Sequence, residues 1–272
     1  MIYFSPAKIN LGLQIIARRD DGFHNLRSLM YPLPLYDIIE ICQFPGQHIP
    51  IEFSQSGSST GTEMQDNLCI RAWKLMAKER KLPPVAIHLH KQIPVGAGLG
   101  GGSSDASTVL TALNDLTDNP LSPEKLAEQA ARLGSDCPFF LQSKPMMMEG
   151  RGELLSPVDL SLHSFYLVVL FPEIHIPTAE AYGAVTPSLP ELHLKQLLKL
   201  PVQRWRDQVV NDFEKSTFEK YPLLLNLKLS LYGAGAVYAS MSGSGSSIYG
   251  IFKKRPDLPE KLREHLIWEG HL

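Results

Sequence analysis

The run from Pro94 to Ser107, PVGAGLGGGSSDAS, carries the densest chemical signal in the chain. Gly96, Gly98, Gly100, Gly101 and Gly102 come directly before Ser103, Ser104 and an apolar helical pattern. Glycines allow positive φ and close backbone approach, and the unpaired amides at a helix start attract anions. A phosphate cradle suits this run; a flexible linker would not be flanked by a β-like segment and a well-formed helix start. A P-loop needs Lys after its last Gly, but here Ser103 follows Gly102. Gly96, Gly98 and Gly101 satisfy G-x-G-x-x-G, yet a dinucleotide fold wants a strand after the helix, and a second helical pattern follows instead. Two more places invite chemistry. Lys8 and Asn10 share one face of the first strand by its period of two, a stripe that is either a working surface or a solvent edge. Asp136, in Ser135-Asp136-Cys137-Pro138-Phe139-Phe140, reads as a helix cap or as a carboxylate that accepts the proton of an attacking alcohol, and the two roles can coexist.

These residues need elements to hold them. Tyr3 to Arg18 and Leu26 to Phe44 read as strands joined at Asp20-Asp21-Gly22, and His48 to Glu63 as a loop with one short strand, Ile49 to Phe53. Asp66 or Asn67 can cap a helix reaching Lys81, stopped by Pro83-Pro84. Val85 to Ile93 alternates Val, Ile, Leu inward with Ala, His, His outward and delivers the chain into the glycine run. Ser103 or Ser104 would cap the next helix, whose Ala106, Val109, Leu110, Leu113 and Leu116 fall at helical spacing. Ser122-Pro123 starts another helix and Gly134 stops it. Met146 to Glu149 and Glu153 to Val158 make a hairpin around Gly150-Arg151-Gly152. Further on, Phe165 to Phe171 reads as a central strand, Pro177 caps a short helix carrying Tyr182, and a connection runs from Thr186 to Pro201. Arg204 to Lys215 and Pro222 to Leu231 read as helices, Val237 to Met241 and Ser246 to Phe252 as strands, and Leu258 to Leu266 as a closing amphipathic helix. That order suits a small antiparallel sheet with helices on one face, of the ferredoxin-like kind.

Composition sets the frame. At 272 residues, 44% hydrophobic and 20% charged, the chain is globular, with room for one large or two ordinary domains. A net charge of -2 gives no footprint for nucleic acid or an anionic membrane, which leaves a small molecule as the partner. Cys42, Cys69 and Cys137 are odd in number and form no C-x-x-C, which fits reduced thiols in a cytoplasm; no metal-ligating cluster is visible. No apolar run approaches a membrane span and no targeting segment is evident, so a cytoplasmic protein is expected. Oligomeric state stays open.

Three segments in order, SPAKINLGL from Ser5, PVGAGLGGGSSDAS from Pro94 and SMSGSGSSIYGIF from Ser240, together resemble the motifs of the GHMP small-molecule kinases. The resemblance covers nearly the whole chain. It implies an α+β, two-domain fold: a ribosomal-protein-S5 domain 2-like ATP-binding domain over 1–158 and a ferredoxin-like C-terminal domain over 159–272. DGFHNL from Asp21, DNL from Asp66, LGSDCPFF from Leu133, IPTAEAY from Ile176 and NDFE from Asn211 resemble, within that superfamily, the branch that phosphorylates a cytidylyl-linked methylerythritol in non-mevalonate isoprenoid synthesis. Pro94, Val95, Gly96, Ala97, Gly98, Leu99, Gly100, Gly101, Gly102, Ser103 and Ser104 would then hold ATP, with Lys8 and Asp136 as the catalytic pair. Phe23, His24 and Tyr182, with Asn10 and Thr178, would bind the acceptor; Phe23 stands where relatives often have Tyr. Magnesium is expected with ATP, but no acidic pair must hold it: Asp105 and Ser104 are candidates and the phosphates would carry most of the coordination, while Asn67 and Lys91 are candidates for adenine. The family's last strand is hard to find after Leu266, which suggests a sheet one strand short. Other GHMP kinases (homoserine or mevalonate type), a dinucleotide-dependent oxidoreductase and a non-catalytic nucleotide-binding module remain as alternatives.

Overall fold

The computed structural model describes residues 1–44, 49–61 and 63–272. His48 and Thr62, part of the expected loop, lie outside the described residues. Two compact units emerge: Met1–Lys8, Pro32–Val95 and Gly100–Lys144 form the first, and Ile9–Tyr31, Gly96–Leu99 and Pro145–Leu272 the second. Strands β1 (Ile2–Arg18) and β2 (His24–Gln43) are shared between them along the chain.

In the first unit, β3 (Ile51–Gly57) is followed by α1 (Leu68–Glu79), β4 (Val85–Lys91), α2 (Gly101–Asp115), α3 (Pro123–Leu133) and the single turn α4 (Cys137–Phe140). β4 pairs antiparallel with the C-terminal half of β2, Ile38 facing His90, and parallel with β3, Ile51 facing Val85. Its alternation holds: Val85, Ile87 and Leu89 are buried while Ala86, His88 and His90 are half-buried. Lys91 continues the buried phase, a charge at an inward position. α1, α2 and α3 cover that face through Cys69, Ala72, Met76, Ala106, Val109, Leu110, Leu113, Ala130 and Leu133. Caps set their limits. Asn67 accepts the Cys69 N–H and Ser122 the Lys125 N–H, and the chain leaves α3 at Gly134. α2 departs from expectation, because its N-cap is Gly100 at φ 72°, so Ser103 and Ser104 lie inside the first turn and neither caps it. Two helices, not a strand, follow the glycine run, which excludes the dinucleotide-binding fold.

The second unit contains the hairpin β5 (Met146–Gly150) and β6 (Leu154–Pro157), with β5 pairing antiparallel to the N-terminal half of β2. After β7 (Tyr166–Leu170) come α5 (Thr178–Ala184), α6 (Leu194–Leu197), α7 (Glu214–Lys220), α8 (Pro222–Gly233), β8 (Tyr238–Met241), β9 (Ile248–Phe252), α9 (Glu260–Arg263) and β10 (Leu266–His271). The sheet runs β10-β7-β9-β8 with every pair antiparallel, the strand order of a ferredoxin-like sandwich. Two expectations are corrected here. The last strand is present: β10 pairs with β7 from Leu266 facing Leu170 to His271 facing Tyr166. The closing helix is one turn long, begun after Pro259, which frees Leu266 for that strand. A third concerns Arg204 to Lys215, which is helical only from Glu214; Val202–Arg204 is a 3₁₀ turn and the rest an irregular segment. No helix among the described residues is long and apolar enough to cross a membrane.

Candidate active site

Lys8 and Asp136 meet in the first unit. The Lys8 ammonium lies 3.5 Å from Oδ2 of Asp136, with the lysine side chain 5% and the aspartate side chain 29% exposed. Asp136 occupies the N-cap position of α4, yet its side chain makes no capping hydrogen bond. The cap reading of this residue therefore fails, and its carboxylate is committed to Lys8. The pair also abuts the glycine run. A Cβ built on Gly100 would fall 3.1 Å from Lys8 Cγ and Cε and 2.8 Å from Phe140 Cζ, at a positive φ that L side chains rarely adopt. The lysine stem thus packs against the residue that opens α2, whose first-turn amides have no intrahelical partners by helix geometry. Gly101 is buried, Gly102 exposed and Ser103 half-buried, while Pro94 is half-buried and Val95 exposed.

The middle of the run, Gly96 to Leu99, belongs to the second unit. Ser242 Oγ donates to the Gly98 carbonyl at 2.9 Å and the Ser247 amide to the Ala97 carbonyl at 3.1 Å. A Cβ on Gly98 would lie 2.1 Å from the Ser242 carbonyl oxygen, so only glycine fits there. The serine-glycine loop at Ser242–Gly245 is therefore more than a hairpin turn: it braces the glycine run. Asn211 in turn braces that loop, its Nδ2 donating to the carbonyls of Met241 at 2.9 Å and Gly243 at 2.8 Å. Glu214 accepts from Ser240 Oγ and the Met241 amide, and Asp212 accepts the Ile15 amide at 2.7 Å. The sequence marked Asn211–Glu214 as distinctive without a role, and the structure gives it one.

The remaining expected residues also lie in the second unit. His24 stacks on Tyr182, ring centroids 5.3 Å apart and planes 27° from parallel, and Phe213 meets Tyr182 edge-on at 4.9 Å. Phe23 is 57% exposed, and the ring stacked on Tyr182 is that of His24. The Arg151 guanidinium sits 5.2 Å from the Phe23 centroid, a neighbour nothing in the sequence singled out. Asn10 is buried, its Nδ2 donating to Ser28 Oγ at 2.7 Å and its carbonyl accepting from Tyr249 at 2.8 Å. Thr178 Oγ1 lies 3.4 Å from Ser244 Oγ on the serine-glycine loop.

A second lysine site fills the first unit's interior. Lys91, 2% exposed, pairs with Asp37 and, at 3.1 Å, with Asp105. Burial, opposed by Lys91 and reinforced by the Asp37 charge, pushes the Asp105 carboxyl up to about 8. Lys91 is raised despite its burial, by Asp105 and Asp37 together. Its ammonium is thus engaged in the interior with Asp37 and Asp105, while Asn67 Oδ1 caps α1. Among the described residues no group of three or more His, Cys, Asp or Glu could hold a metal ion. All three cysteines are free, with burial pushing Cys137 up to about 11 and Cys69 well above its ordinary value, so neither buried thiol is a ready nucleophile.

Comparison with known proteins now has a geometry to explain. The family profile "GHMP kinases N terminal domain" matches residues 67–144 and "GHMP kinases C terminal" residues 188–267. Those two profiles define the class, a small-molecule kinase of two α+β domains with two sheets. The 4-diphosphocytidyl-2-C-methyl-D-erythritol kinase of Parabacteroides distasonis is 42% identical, covering 100% of both chains. That of Bacteroides fragilis is 46% identical over 93% of this chain and 92% of its own. A crystal structure of 4-(cytidine 5'-diphospho)-2C-methyl-D-erythritol kinase superimposes with a TM-score of 0.83 at 33% identity, covering 99% of this chain and 98% of that one. The chain belongs to the 4-diphosphocytidyl-2-C-methyl-D-erythritol kinase family of the GHMP kinases.

Proposed function

We infer that the chain transfers the γ-phosphoryl group of ATP to the 2-hydroxyl of 4-diphosphocytidyl-2-C-methyl-D-erythritol, releasing ADP, in the non-mevalonate route to isoprenoid precursors. The observation that carries this reading is the Lys8–Asp136 pair set against Gly100 at the start of α2. Phosphoryl transfer asks the protein mainly for alignment and charge stabilisation, and the site supplies both. The run Pro94–Ser104 receives the ATP phosphates, chiefly through backbone N–H groups of the residues that follow Pro94. Asp136, partly open to solvent, orients the acceptor hydroxyl and takes its proton as the O–P bond forms. Lys8 keeps Asp136 ionised and offers positive charge to the transferring group. Magnesium, where bound, neutralises the β- and γ-phosphates; with no carboxylate cage among the described residues, phosphate oxygens and water would carry most of its coordination.

His24 and Tyr182 form the platform assigned to the cytosine of the acceptor, and Phe23, Asn10 and Thr178 are assigned the same substrate-binding role. Stacking accepts any base, so selectivity falls to hydrogen bonds from His24 and nearby backbone. Free thiols at all three cysteines suit the cytoplasmic setting that goes with this pathway. The test offers purified protein ATP with the cytidylyl acceptor, mevalonate and homoserine in separate coupled ADP assays. ADP release with the first alone is the expected result. Release with mevalonate or homoserine alone would assign the chain to another GHMP activity.

A further inference from the structure

The partners of the buried Lys91 bracket the glycine run. Asp37, on β2 and completely buried, uses Oδ1 to accept the amides of Gln92 at 2.6 Å and Ile93 at 2.8 Å. Its Oδ2 takes the Lys91 ammonium. One carboxylate therefore fixes Lys91, Gln92 and Ile93, the last residues before Pro94. Lys91 then reaches past the run to Asp105, on the second turn of α2. The ammonium lies close beneath the helix start: a Cβ on Gly101 would fall 2.7 Å from Lys91 Nζ.

Two buried carboxyl groups, one of them (Asp105) holding its proton up to about pH 8, and one ammonium make a costly way to join a strand to a helix. Apolar residues of similar volume often hold such a place as well or better. What the polar network adds is register, because each bond is directional and each partner has one position. The entry and the exit of the run are thereby tied to a single ammonium.

We propose that Asp37, Lys91 and Asp105 are positioning residues for ATP, presetting the phosphate run and the first-turn amides of α2 from within the interior without touching the nucleotide. The inference rests on the reading of Pro94–Ser104 as the ATP-phosphate site. Its test measures the ATP dissociation constant, the two KM values, kcat and Tm of the full chain for K91M, D105N and the double variant K91M/D105L, with G100A as a reference inside the run. K91M should weaken ATP binding by about tenfold to 10²-fold, the scale of a slight misplacement, while kcat at saturation and the acceptor KM stay within about twofold. D105N, which keeps the shape, should fold and shift ATP affinity the same way by about threefold, and so carries the test if K91M fails to fold. K91M/D105L should regain Tm and keep the ATP defect. Unchanged ATP affinity in folded K91M and D105N overturns the proposal, as does a double variant that recovers affinity along with Tm. If G100A weakens ATP binding in that same series, the phosphate-run assignment survives and only the network's role falls; if G100A is silent too, that assignment falls with it.

Discussion

Two lysine-aspartate sites occupy the first unit, and they differ in what they leave open. Lys91 gives its ammonium to two carboxyl groups, Asp37 and Asp105, that are all but sealed from water, and Asp37 spends its other oxygen on two backbone amides. Lys8 meets one carboxylate at a looser 3.5 Å, and Asp136 keeps 29% of its side chain in solvent. The first arrangement holds register and offers nothing to a ligand; the second leaves carboxylate lone pairs available beside the glycine that opens α2. Burial thus divides identical side-chain chemistry into a sealed site and an open one.

The comparison breaks most visibly in stability. Removing one partner from a buried ion pair leaves an uncompensated charge at a cost of about 3–5 kcal/mol, so K91M should lower unfolding free energy on that scale in a denaturant titration. D136N also leaves a buried ammonium, Lys8, but at a carboxyl position open to water, so its loss in the same titration should be smaller than that of K91M. Equal losses would mean that both pairs are structural.

Away from the pair, His24→Ala should raise the acceptor KM by roughly tenfold, the scale of one lost hydrogen bond with its stacking face, and leave the KM for ATP unchanged. An effect confined to ATP would move His24 to the other substrate. A further difference between the sites is one of pH. Asp105 is held up to about 8, against roughly 3.9 in an unfolded chain, so between those values the folded protein keeps a proton that the unfolded chain has lost. Its contribution is therefore greatest below about pH 4 and declines as pH rises to about 8. Subtracting the D105N curve of Tm against pH from the wild-type curve should leave a downward slope in that window; an upward slope contradicts the raised carboxyl.

Local rules made much of this legible. The α3 limits follow from Ser122, Pro123 and Gly134, β4 from strict alternation, and the turn between β4 and α2 from its glycines, because each signal lies within a few residues of its effect. The start of α2 was misread because a left-handed Gly100 turns the chain into the helix and makes a serine cap unnecessary. β10 was missed because Leu266–His271 mixes polar residues and a glycine along a half-buried strand, and Leu266 also continued a helical pattern. Arg204 to Lys215 has helix-compatible residues, but Trp205 folds back on the Leu200 carbonyl and Asn211 is drawn to Met241 and Gly243. Of the candidate site, Lys8 and Asp136 came from polar residues in apolar settings and from family likeness. Asp37 has no such mark, since its partner Lys91 lies 54 positions away and only the β2–β4 pairing unites them. Arg151 over Phe23 is hidden in the same way, by the pairing of β5 with β2.

The division between the two sites is tested most directly by steady-state kinetics of D136N with ATP and the cytidylyl acceptor. A positioned acid-base group is worth roughly 10²- to 10⁴-fold, so kcat should fall by about 10² or more while the dissociation constant for ATP holds. Wild-type turnover in D136N would contradict the account.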